Sequence, residues 1–148
     1  LTNIVIPFGV TSIGRDAFYG CNNLISITIP DSVTSMGDYV FSDCSNLTSI
    51  TIPDSITSIG NGVFSGCSSL TSVTIGNGVM SIGDHTFYNC SSLTSIVIPD
   101  GVTDIGNGSF EGCSSLTIYC EAEERPSGWN SEWNPDNCPV VWGYKAEE

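Results

Sequence analysis

Residues 47–69 read LTSITIPDSITSIGNGVFSGCSS, and the chain repeats that 23-residue pattern along most of its length. Leu24, Leu47, Leu70, Leu93 and Leu116 keep the interval, as do Phe18, Phe41, Phe64, Phe87 and Phe110, and Cys21, Cys44, Cys67, Cys90 and Cys113. A period of roughly 20–50 residues marks stacked supersecondary units rather than a globule around one centre. Each unit is too short to bury its own apolar face, so it is stable only against its neighbours. The pattern predicts a solenoid.

Within one unit, Leu47 to Ile52 is rich in β-branched residues and alternates in polarity, which predicts a short strand. Leu47, Ile50 and Ile52 are expected to point inward, with Ser49 and Thr51 outward. Pro53 ends the strand because it has no N–H to give to a ladder, and Asp54-Ser55 is turn chemistry. Ile56 to Ile59 predicts a second short strand on another side of the coil. Gly60 is expected to break it at a positive φ. Asn61 to Cys67 is too short and glycine-rich for a stable α-helix, so a single helical turn (α or 3₁₀) is expected, with Phe64 and Cys67 inward. Stacked coils place like residues about 4.8 Å apart in parallel ladders.

Composition excludes several functions. Only 13% of the 148 residues are charged, and the net charge is −13. Arg15, Arg125 and Lys145 are the only cationic side chains besides the single histidine. Phosphate backbones and anionic lipid surfaces are held by Lys and Arg, so nucleic acid is excluded as a partner. No run approaches the ~18 apolar residues of a spanning helix, so this segment is not expected to insert in a membrane. The sequence opens without Met and inside a repeat, which reads as the carboxy-terminal piece of a longer array.

No catalytic, cofactor or metal site emerges. The five regularly spaced cysteines are expected to be buried thiols, since side chains stacked at about 4.8 Å sit wider than a disulfide prefers. Zinc usually needs closely spaced ligand pairs, and no Cys-x-x-Cys is present. Cys120 and Cys138 lie outside the column, and both a bridge between them and packing in the tail are compatible with the sequence. His85 falls at a position occupied elsewhere by Asp16, Tyr39, Gly62 and Gly108, a variable surface site with no nucleophile in register. The carboxylates sit in turns, with Asn61, Asn77 and Asn107 interrupting their columns and relieving like-charge stacking. No calcium-repeat motif accompanies them.

The outward strand residues Ser26, Thr28, Ser49, Thr51, Ser72, Thr74, Ser95 and Val97 form a stripe of hydroxyls and methyls, the candidate binding face for protein or glycan. An ice-binding array is disfavoured by its serine content and by Val97. Beyond residue 118 the pattern lapses into a tail that carries Trp129, Trp133 and Trp142, all the tryptophans of the chain. They read as a lid over the apolar end of the stack, with Val140 to Trp142 as a closing strand. The alternative is an aromatic platform for sugar.

The block Leu-x-x-Ile-x-Ile-Pro, then Val-Thr-x-Ile-Gly-x-x-x-Phe, then x-x-Cys-x-x-Leu resembles the BspA-like, Treponema pallidum-type leucine-rich repeats. It runs from residue 1 to about 118, departing at Gly76, where other units have proline, and at Met36. The segment from Ile118 through Gly143 resembles the terminal cap of such arrays. The resemblance implies a β-rich leucine-rich-repeat solenoid over residues 1–118, with parallel strands on two sides and a helical turn per repeat, and a cap over 119–148. It further implies a non-enzymatic module on a bacterial surface or secreted from it, binding host matrix proteins or other microbes or acting as a spacer. A protein-interaction scaffold, intracellular or secreted, is the alternative. The family supplies no shared catalytic residues to carry over.

Overall fold

A computed structural model describes residues 2–145. The chain winds into a parallel β-solenoid of about six coils with one strand on each of two sides. On the first side lie β1 (Asn3–Val5), β3 (Ser26–Thr28), β5 (Ser49–Ile52), β7 (Ser72–Ile75), β9 (Ser95–Ile98), β11 (Thr117–Cys120) and β12 (Val140–Val141). On the second lie β2 (Ser12–Ile13), β4 (Ser35–Met36), β6 (Ser58–Ile59), β8 (Ser81–Ile82) and β10 (Asp104–Ile105). Every pairing is parallel, and the repeat period sets the register: Ser49 faces Ser72, Thr51 faces Thr74, and Ile59 faces Ile82.

The alternation resolves as the polarity pattern demands. Leu47, Ile50 and Ile52 are buried, whereas Ser49 and Thr51 face solvent. Phe41, Phe64, Phe87 and Phe110 are fully enclosed and stack from coil to coil, with ring centroids 5.4–5.7 Å apart and planes within 14° of parallel. Full burial of one such ring contributes about 1.5–3 kcal/mol, and ring pairing adds about 0.5–1.5 kcal/mol. This column is the spine of the core.

The third side differs from the sequence reading, for no helical turn forms among the described residues. An α-helix would send each N–H to the carbonyl four residues back. Here the Tyr39, Phe41 and Asp43 N–H groups instead donate forward to the Asn61, Val63 and Ser65 carbonyls of the next coil, at 2.9, 2.9 and 2.7 Å. The intervening Ser42 and Cys44 N–H groups close tight turns onto the Tyr39 and Phe41 carbonyls at 3.2 and 3.1 Å. Tyr39 and Asp43 take φ of 60° and 59°, and Gly62 and Gly66 do the same one coil on. Left-handed residues four apart break any helix and aim alternate amides along the solenoid axis. The third side is thus another inter-coil ladder.

Gly60 is also reassigned. The positive-φ glycines of its unit are Gly62 and Gly66, not Gly60. A side chain at Gly60 would place its Cβ 2.9 Å from the Gly37 carbonyl oxygen, and one at Gly83 would stand 2.7 Å from the Asn61 amide. Glycine is required there by close backbone approach between coils.

Two columns carry polar atoms into the stack. Thr86 and Ser109 replace Val40 and Val63 and are fully buried. The Thr86 hydroxyl lies 3.0 Å from the Gly60 carbonyl and 2.8 Å from that of Gly83, so it has acceptors within its own coil and the one before. On the surface, Asp38, Asn61 and Asp84 each accept the backbone N–H of the equivalent residue one coil on, at 2.8–2.9 Å. Asp and Asn interchange because the carbonyl-like oxygen, not the charge, makes the bond.

Candidate functional site: the hydroxyl face and the lid

Parallel pairing brings the predicted stripe together on the first side. Thr28, Ser49, Thr51, Ser72, Thr74 and Ser95 are exposed, and Ser26 and Val97 are half-buried. Over the middle of this side lies a concavity of about 610 Å³ spanning β3, β5 and β7. Ser26, Thr28, Ser49, Thr51 and Thr74 line it; Ser72, Ser95 and Val97 do not. Gly76 borders it too, in the column held by proline in the neighbouring coils, and so takes no side chain into the space.

The rim beyond the strand ends carries Asp31, Asp54 and Asn77. The Asp54 carboxylate accepts the Asn77 N–H at 2.8 Å. Further along the same edge, Glu121 accepts the Asp100 N–H at 2.9 Å. The ion pair found among the described residues is Arg15 with Asp16, away from this side, so none of these rim carboxylates has a cationic partner there. The site offers hydroxyls, methyls and backbone edges bounded by negative charge. It contains no nucleophile–base pair, and among the described residues no three His, Cys, Asp or Glu side chains converge. His85 is exposed and packs edge-on against Tyr88 at 5.7 Å.

The cysteine column is enclosed. Cys44, Cys67, Cys90 and Cys113 are buried and Cys21 is half-buried; all seven thiols of the chain are free. Cys120 and Cys138 are buried and unbridged, and the Cys138 thiol points at the Cys113 carbonyl, 3.4 Å away. Cys138 therefore extends the thiol column into the tail. Burial pushes the Cys44 thiol up to about 11 and that of Cys120 to about 12.

The tail covers the last coil. Trp129 and Trp133 are only 3% and 6% exposed and cluster with Trp142, which is half-buried; the Trp133 ring meets Phe110 edge-on at 6.0 Å. Two of three indoles are thus covered by the protein itself and unavailable as an open stacking surface. The tail also follows the coil on all three sides. β12 pairs with β11, the Asn130 N–H donates to Ile105, and the Gly108 N–H donates to Glu132, both at 2.8 Å. The turn closed by Trp129 on Pro126 repeats that closed by Val102 on Pro99, each at 3.2 Å. The tail is a degenerate further coil. Its sequence signal is Pro126-Ser-Gly-Trp129 set beside Pro99-Asp-Gly-Val102, a match hidden by the extra residues that precede Pro126.

A parallel solenoid with an apolar ladder core, a hydroxyl-lined strand side and an aromatic end coil defines a leucine-rich-repeat protein. The BspA-type leucine-rich repeat model matches residues 1–117 in six copies, and the chain belongs to that family. Among solved structures, it is similar to a leucine-rich cell surface protein of Faecalibacterium prausnitzii, with 37% identity and a TM-score of 0.77, over 89% of this chain and 35% of that one. It is also similar to the leucine-rich repeat protein of T. pallidum, with 32% identity and a TM-score of 0.77, over 80% of this chain and 58% of that one. The pneumococcal vaccine antigen PcpA shares the fold at 23% identity and a TM-score of 0.71, over 81% of this chain and 30% of that one. The chain thus spans about a third to just over half the length of the first two. No curated protein matches it. No helix among the described residues is long and apolar enough to cross a membrane.

Proposed function

We propose that this chain is a non-enzymatic protein-binding module of a bacterial surface or secreted protein, acting in adhesion through the hydroxyl face of its first side. Residues 1–118 supply the binding array and 119–148 seal it. One observation carries the reading: the 610 Å³ concavity is floored by the stripe of outward Ser and Thr residues and rimmed by Asp31 and Asp54, and the thiol column takes no part in it. A parallel ladder holds its side chains rigidly and in register, so a partner meets a preorganised surface. The surface placement is supported by the Faecalibacterium relative, a cell surface protein.

The test is a binding screen of the immobilised chain against host matrix proteins and microbial surface proteins. Each ligand is then retested against the double substitution Thr51→Lys and Thr74→Lys, which fills the concavity. Loss of binding in the double variant, with an unchanged melting temperature, supports the reading. Binding that ignores the substitution assigns recognition to another surface.

A further inference from the structure

The strand side does not keep one chemistry along its length. The strand pairings and the 23-residue period align Val5, Thr28, Thr51, Thr74, Val97, Tyr119 and Val141 in one outward column, with hydroxyls over the concavity, a lone Val5 at the first coil and a cluster of apolar groups toward the lid. Val141 is 41% exposed, and Val97 and Tyr119 are half-buried. Tyr144 joins them, its ring 5.1 Å from that of Tyr119 and its N–H bonded to the Cys120 carbonyl at 2.9 Å. An aromatic and aliphatic patch is thereby held next to the concavity on the same continuous side. Partly exposed tyrosines held on a rigid frame make efficient binding anchors, since they bring large contact area at small entropic cost.

We infer that the partner of this face is an extended, basic polypeptide lying along the solenoid axis, with a cationic side chain in the concavity and a large apolar side chain on the Val97–Tyr119–Val141–Tyr144 patch. This rests on the binding-face reading and names its ligand class. The occupant's charge follows from complementarity. The concavity is bounded by Asp31 and Asp54, no cation pairs with either among the described residues, and the whole chain carries −13. An acidic partner would meet repulsion on approach, whereas a basic one is steered in. The spacing follows from the coils. Thr51 and Tyr119 stand three coils apart, about 14 Å at the parallel inter-strand spacing. An extended chain covers that distance in about four residues. The two anchors of the partner therefore stand about four residues apart.

The experiment is fluorescence anisotropy with the full chain and three labelled Gly/Ser peptides. One carries a Lys pair four residues ahead of Trp, one has the Lys pair directly beside Trp, and one has Glu in place of Lys. The first is expected to bind at least about fivefold more tightly than the second, and the third to bind weakest. Thr51→Lys is expected to weaken the first peptide at least about tenfold and Tyr119→Ala about fivefold, whereas Asp104→Asn, the same loss of charge on the second ladder, changes it less than about twofold. Asp54→Asn keeps the oxygen that holds Asn77 and is expected to weaken binding by more than Asp104→Asn. No binding of the first peptide, equal binding of the first two, or equal sensitivity to Asp54→Asn and Asp104→Asn would overturn the inference. If a matrix protein still loses binding on filling the concavity, the face reading survives that failure. If neither probe responds to Thr51→Lys, both readings fall together.

Discussion

The Cys67 thiol donates to the Phe41 carbonyl of the preceding coil at 3.1 Å, and Cys44, Cys90 and Cys113 repeat the bond to Phe18, Phe64 and Phe87. Each thiol fills a small apolar space and also ties its coil to the one before, which alanine or valine cannot do. Buried thiols held as donors are poor nucleophiles, because reaction needs the thiolate. In native protein at mildly alkaline pH, Cys21 is expected to react with a disulfide reagent first, with the other six released only by denaturant. Rapid native reaction of several thiols would show that the column is not packed.

The same burial makes stability fall on the alkaline side. Cys44 is raised from an ordinary 9.0 to about 11, chiefly by desolvation, and Cys67 moves further in the same direction for the same reason. With the folded value above the unfolded one, the native state holds protons that the unfolded state has released. Stability is therefore complete below about pH 9 and declines as pH rises toward 11. Urea midpoints measured from neutral pH upward should be flat and then fall across that window, and replacing Cys44 by Ala should soften the fall.

Phe64 sits mid-column between Phe41 and Phe87, enclosed on both faces. Phe64→Ala leaves a cavity that the stacked coils on either side hold open, at a cost of about 3–5 kcal/mol. Ser49→Ala, on the exposed side of β5, should stay within about 0.5 kcal/mol. Denaturant melts of the two variants check the difference, and equal effects would refute the inward assignment.

Repetition made the inward positions legible, because one polarity pattern stated six times leaves one consistent facing for Leu47, Ile50, Ile52, Phe64 and Cys67. The third side departs from the sequence expectation because a seven-residue segment with Phe and Cys three apart fits a helical turn in isolation. Its real bonds run from Phe41 to Val63 and from Phe64 to Thr86, between coils, and local propensity carries no information about them. The burial of Trp129 and Trp133 agrees with their bulk and apolar character, but the tail's nature as a further coil was not legible, since the extra residues before Pro126 break the 23-residue count. The stripe was readable from alternation in each strand. The concavity over only part of it is shared by β3, β5 and β7, so no single repeat encodes it.

The glycine columns separate close approach from mere flexibility. A methyl at Gly83 would stand 2.7 Å from the Asn61 amide nitrogen and from the Gly60 carbonyl carbon, both backbone atoms that cannot yield. At Gly101 the nearest atom is 3.7 Å away, and the backbone there has no positive φ. Gly83→Ala is expected to cost about 1–3 kcal/mol through overpacking. Gly101→Ala is expected to be neutral or to stabilise by up to about 1 kcal/mol by restricting the unfolded chain. Thermal melts showing the reverse order would mean that the coils are spaced more widely than described.

Trp129 closes the stack with both its ring and its donor. The ring packs against Trp133 at 4.8 Å, and the indole N–H donates to the Val102 carbonyl at 3.1 Å. Trp129→Phe keeps most of the apolar cover but leaves that carbonyl without its indole donor, which should cost about 1–3 kcal/mol. Trp129→Ala removes the cover as well and should cost about 3–5 kcal/mol. Emission from the native protein should be blue-shifted and resist acrylamide, with only Trp142 contributing quenchable signal. The comparison that decides the matter is proteolysis. If the tail is a coil paired on three sides, Trp129→Ala should expose the segment after Cys120 to cleavage while the earlier coils persist. Cleavage at the first coil instead would show that the array melts from its other end and that the tail adds little to holding it closed.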